Sequence, residues 1–120
     1  MAAGLASEGE GARERRAIDV LEEPVTCAPT TSTAEAVEQA RAAGAPNVLV
    51  VNDDGILLGR VRLDVPLDLQ TTVEQVMEPG PVTVRANEPL DELLERLASR
   101  HVTETVVTTP EGRLLGVIRR

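Results

Sequence analysis

Leu90, Leu93, Leu94 and Leu97 recur at i, i+3, i+4 and i+7, the spacing of one face of a 3.6-residue helix. Glu92, Glu95 and Arg96 lie off that face. Thr33, Ala36, Val37 and Ala40 repeat the same spacing earlier in the chain. Ser32 and Glu35 there have the separation of a capping box, while Pro89 falls where a first helical turn tolerates proline. Short β-branched runs, PVTC and PVTV, precede the two helices and predict strands that open on a proline. Valine-rich runs, NVLVV and ETVVT, follow them and are too short for helices. Next come NDDG and TPEG, then ILLGRVR and RLLGVIR, which together predict two hairpins with Gly55 and Gly112 supplying positive φ at the tips. RRAIDVLEE and TTVEQVMEP predict a short amphipathic helix ahead of each first strand.

The two series are one unit written twice. Residues 57 positions apart coincide without a gap: Pro24 with Pro81, Val25 with Val82, Thr26 with Thr83, Glu35 with Glu92, and Glu38 with Glu95. Val50 with Val107, Gly55 with Gly112, Leu57-Leu58-Gly59 with Leu114-Leu115-Gly116 and Arg62 with Arg119 complete the register. A unit this small cannot bury its apolar face alone and is expected to stack on its copy. The expected organisation is a flexible tail over 1–12, a first repeat over 13–65, a connection over 66–72 and a second repeat over 73–120. The expected fold class is α/β (α+β), with two β-α-β-β repeats related by pseudo-two-fold symmetry.

Composition narrows the chemistry. The 120 residues are 42% hydrophobic with no Phe, Tyr or Trp, so the core must be aliphatic and a bound ring would lie between aliphatic side chains. A net charge of −8 argues against a nucleic-acid partner, because polyphosphate binding needs a basic surface. All twelve basic side chains are Arg, which suits bidentate recognition of phosphate and also fits compositional bias. Cys27 is the single cysteine and has no internal disulfide partner. On an alternating strand it reads as a small core residue in a reducing compartment. No stretch has the length of a signal peptide or a membrane span, so no membrane insertion and a cytoplasmic location are expected. Asp53, Asp54 and Glu111 fall at hairpin tips, where turn chemistry accounts for them. One histidine in the chain leaves a nucleophile without an oriented base, and no Cys/His cluster has metal-ligand spacing.

The order of elements, with VMEPGPVTV, a leucine-faced helix and VVTTPEGRLLGVI written in tandem copies, resembles the cystathionine β-synthase (CBS) domain pair, or Bateman module. The resemblance covers about Val20 to Arg120. It implies two small sheets packed face to face, helices outside, clefts between the halves, a homodimer, and a non-catalytic role in sensing adenine nucleotides such as AMP, ADP or ATP. It also implies a hydroxyl residue just beyond the second hairpin strand and a ribose-holding Asp three residues later. This chain has Arg62 and Val65 there, with Asp64 one place early. In the second copy Arg119 takes the hydroxyl position, and the sequence stops at Arg120 before the Asp and before a closing helix.

Arg100, His101, Val102 and Thr103 resemble the basic, apolar and hydroxyl positions at which family members meet phosphate and ribose, whereas their first-copy counterparts Ala43 to Pro46 lack that chemistry. The candidate ligand-binding set is therefore Arg100, His101, Val102 and Thr103, assisted by Arg62, Arg85 and Arg119. A second reading of Arg100 and His101 is a helix C-terminus that favours cations, and of Arg62 and Arg119 solvated strand ends. Three functions follow: a nucleotide-sensing regulatory module; a ligand-free dimerisation or structural module, free-standing or within a larger transporter or enzyme; and a divalent-cation sensor using the acidic surface.

Overall fold

A computed structural model describes residues 15–119, and the tail expected over 1–12 lies outside them. Strands β1 (Thr26–Cys27), β2 (Asn47–Val51), β3 (Leu57–Arg62) and β4 (Glu78–Pro79) form one sheet in that order; β5 (Thr83–Arg85), β6 (Glu104–Thr108) and β7 (Leu114–Arg119) form the other. The first pair in each sheet is parallel and the hairpin antiparallel, so each copy is a β-α-β-β unit as the repeat predicts. Both hairpins carry a register shift at the same place, after Val50 and after Val107. The extra residue of each bulge is the second leucine of the Leu-Leu-Gly phrase, Leu58 or Leu115, because Leu57 and Gly59 are paired on one side and Leu114 and Gly116 on the other.

Helix α1 (Thr33–Ala43) starts where the Glu35 amide donates to Ser32 Oγ at 3.1 Å, and buries Thr33, Ala36, Val37 and Ala40. Helix α3 (Leu90–Ser99) begins after Pro89, which sits extended at the cap rather than within the first turn. Its Leu90, Leu93 and Leu97 are buried, and Leu94, at the edge of the apolar stripe, is partly buried. The two leading helices are shorter than their sequences suggest. RRAIDVLEE yields a four-residue 3-10 turn, Ala17–Val20, and TTVEQVMEP yields α2 (Val73–Val76) before Met77 turns extended and leads into β4.

These leading segments change partners. Ala17 is fully buried in a cluster with Leu90, Leu93, Leu97, Val107 and Ile118 of the second repeat, and Glu22 exchanges backbone hydrogen bonds with Val117 at 2.8 and 3.0 Å. Val73 is fully buried among Ala36, Ala40, Val48, Val50 and Val61 of the first repeat, and β4 pairs with Gly59 and Arg60 of β3. Each repeat thus lends its opening segment to the other. A third cluster, Leu49, Val106 and Val117 with Leu57 and Leu114 against it, fills the space between the sheets. At the hairpin tips the Leu57 amide donates to the Gly112 carbonyl and the Leu114 amide to the Gly55 carbonyl, both at 2.9 Å. Gly55 (φ +80) and Gly112 (φ +93) hold the left-handed conformation that these turns require.

The glycine of each Leu-Leu-Gly is extended, and its role is space. A Cβ on Gly59 would lie 2.6 Å from Met77 Sδ and 2.8 Å from the Glu78 carbonyl oxygen; one on Gly116 would lie 3.0 Å from the Glu22 carbonyl oxygen. A methyl group on Gly59 collides with β4, and one on Gly116 would press on the Glu22 segment. Gly59→Ala is expected to lower stability by about 1–3 kcal/mol, as overpacking does. Guanidinium denaturation measures it, and a loss under about 0.5 kcal/mol would show that the strand does not need this approach.

Candidate functional site

The pseudo-two-fold axis passes between Asn47 and Glu104, equivalent residues 57 positions apart whose side chains meet: Asn47 Nδ2 donates to Glu104 Oε1 at 2.9 Å. Two glutamates would repel at such a self-facing position, so the copies differ where they touch. Asn47 faces Arg62 across its hairpin and Glu104 faces Arg119 across its own. Arg119 Nε donates to Glu104 Oε2 at 2.8 Å, and its terminal nitrogen reaches the borrowed Glu22 at 3.2 Å. A polar chain therefore runs from Asn47 through Glu104 and Arg119 to Glu22, along one mouth of the space between the sheets.

Beside it opens a cleft of about 570 Å³ lined by both repeats. The first contributes Pro46, Asn47, Arg60, Arg62, Leu63 and Asp64, the second His101, Val102, Thr103 and Glu104. Arg62 grips Asp64 through two bonds, Nε to Oδ1 at 3.1 Å and Nη2 to Oδ2 at 2.8 Å, and lies 3.5 Å from Glu78. Arg60 donates to Glu78 at 3.2 Å, while its buried Nε has no hydrogen-bond partner among the described residues. The Arg62 hydrogen bonds hold the Asp64 carboxyl below its ordinary pKa, and Asp64 raises that of Arg62. The pair's contribution to stability is present above the ordinary carboxylate range and is lost as pH falls through the lowered Asp64 value. The exposure of Asp64 to solvent keeps it small.

The sequence-derived candidates divide. Arg62, His101, Val102 and Thr103 meet on this cleft. Arg100 does not join His101: it caps α3 and borders a separate hollow of about 350 Å³ with Arg96, Leu93, Leu97 and Thr105. The separation is conformational, because His101 takes φ +58 and turns the chain between them. Arg85 borders a third hollow with Thr109 and Leu115, and Arg119 belongs to the polar chain rather than to the cleft lining. Arg62 is held by Asp64 and Glu78, and Arg119 by Glu22 and Glu104, so neither is a solvated strand end. Arg60, Asn47 and Glu104 were not among the candidates. Alternation on β3 puts Arg60 on the same face as Arg62, and the 57-residue register sets Asn47 opposite Glu104, so both signals were present.

Cys27 is half-buried beside the first repeat's core, and burial pushes its thiol pKa up. Among the described residues no three His, Cys, Asp or Glu side chains gather as a metal site, and no helix is long and apolar enough to cross a membrane.

The CBS domain family matches the chain twice, over residues 17–64 and 73–120. The chain belongs to this family: it is a CBS pair. It is 33% identical over 105 residues to inosine-5'-monophosphate dehydrogenase of Pasteurella multocida (strain Pm70), an alignment spanning 82% of this chain and 21% of that enzyme. About a fifth of the enzyme's length is thus represented. The fold is similar to that of CBSX2, solved in complex with AMP, with a TM-score of 0.77, 21% identity, and 88% and 90% of the two chains covered. It is also similar to the cytosolic domain of the Mg2+ channel MgtE, solved in complex with ATP, with a TM-score of 0.68, 26% identity, and 86% and 48% covered.

His101 occupies the place that Gly44 holds in the first repeat, where φ is +68 and the next amide closes the helix by bonding to Ala40. In the second repeat the Val102 amide closes α3 on Leu97 in the same way at 2.9 Å. A side chain at left-handed φ costs about 1–2 kcal/mol, and glycine gives back part of that through its freer unfolded chain. His101→Gly is therefore expected to raise stability by about 0.5–1 kcal/mol in chemical denaturation. A loss of stability would mean that the imidazole makes contacts outweighing the strain.

Proposed function

We propose that this CBS pair is a non-catalytic regulatory module, working as a homodimer, that senses an adenine nucleotide in the cleft between its repeats. The observation that carries the reading is the cleft's composition: Arg62 comes from one repeat, His101 and Thr103 from the other, and Pro46, Leu63 and Val102 supply aliphatic surface for a base. A ligand touching both repeats binds best at one relative placement of them, which is what a sensor needs. The AMP complex of CBSX2 and the ATP complex of MgtE support an adenine nucleotide on this fold. Strain kept at His101 on the cleft wall supports it as well, since positive φ outside glycine concentrates at ligand sites. Lacking aromatic stacking and a free Asp for the ribose, the cleft is expected to bind weakly, in the range of tens of micromolar or poorer. The saturation of Arg62 by Asp64 and Glu78 favours the second reading, a ligand-free dimerisation or structural module.

Thermal shift against AMP, ADP and ATP decides between them. Ligand at one hundred times its dissociation constant adds about 2.7 kcal/mol of stability, an unmistakable rise in melting temperature. The proposal expects at least one nucleotide to raise it and Arg62→Ala or His101→Ala to reduce the rise. No shift at millimolar nucleotide leaves the ligand-free reading, and a shift untouched by both substitutions places the site elsewhere.

A further inference from the structure

We infer that the cleft selects for low phosphate charge, taking a nucleoside monophosphate in preference to a metal-free triphosphate; the inference rests on the nucleotide reading above. Three guanidiniums, Arg60, Arg62 and Arg119, line the cleft and the polar chain beside it, and each is in an ion pair. Their partners are four carboxylates: Asp64, Glu78, Glu104 and Glu22. Three positive charges against four negative leave one net negative charge, in a chain whose overall charge is −8.

His101 and Thr103 border the cleft beside Arg60 and Arg62, whose guanidinium N–H groups outside their ion pairs are donors suited to one phosphate group. A monophosphate carries about −1.5 to −2 at neutral pH. Each further phosphate brings charge to a site that is already net negative. Repulsion between unit charges about 4 Å apart in a near-aqueous cleft corresponds to roughly fivefold in affinity per charge. Two extra charges should therefore cost the triphosphate tenfold or more. Mg2+, which binds through substrate phosphates, neutralises those charges and should restore most of the loss.

Calorimetric titration of the full chain with AMP, Mg2+-free ATP and Mg2+-ATP tests this, with an AMP titration in Mg2+ as control. AMP is expected to bind at least about tenfold more tightly than Mg2+-free ATP, with Mg2+ closing most of the gap. Glu78→Gln, which removes one carboxylate from Arg60 and Arg62, should narrow the AMP-to-ATP ratio by about fivefold. Asp64→Asn provides a second, exposed substitution with the same expected direction. Mg2+-free ATP binding as tightly as AMP overturns the inference, as does a ratio unchanged in both variants. Failure of all three nucleotides to bind overturns the nucleotide reading itself, and so the two failures are distinct.

Discussion

Where Gly59 meets the Glu78 carbonyl there is no room for a side chain, and where Gly116 meets the Glu22 carbonyl a Cβ would fit only tightly. Those two close approaches let the segment that opens each repeat lie along the other's sheet, as strand β4 in the first and as a single bridge from Glu22 to Val117 in the second. Exchange of opening segments makes the halves interdependent: Ala17 completes the second core and Val73 the first. The repeated phrase in the sequence is the record of this contact. Its first leucine packs between the sheets, its second bulges, and its glycine admits the borrowed strand.

Symmetry places equivalent residues face to face, and the functional features arise where the copies stop being equivalent. Asn47 replaces what would be a second glutamate opposite Glu104. Arg60 stands where the second copy has Val117, so an arginine lines the cleft where the other copy supplies a valine to the inter-sheet core. His101 stands where the first copy has Gly44 and borders the cleft at the cost of backbone strain. The arginines that give the cleft its anion chemistry are held in place by carboxylates, one of which, Glu78, lies on a borrowed strand. The cleft's electrostatics thus depend on the same exchange that builds the sheets.

Local patterns in the sequence carried the elements, the buried helix faces and the hairpins, because helix and strand periodicities are properties of short windows. The family was legible in the ungapped doubling. The exchange was not, since Ala17 and Leu93 are joined only through tertiary packing that no window spans. The site was legible in part for the same reason. His101, Val102 and Thr103 are contiguous and share a wall with Arg62, but the turn at His101 that sends Arg100 to another hollow is a single backbone dihedral. The ion pairs that saturate the arginines join residues 2 to 97 positions apart, so counting arginines overstated the positive charge on offer.

Interlocking of the repeats is the central claim, and native-state amide hydrogen exchange tests it most directly. Amides at the centres of the two sheets, Leu49 in β2 and Val106 in β6, should open with the same free energy, within about 1 kcal/mol, because neither sheet survives loss of the other's borrowed segment. Sheets that open independently, with free energies about 2 kcal/mol or more apart, would contradict the account.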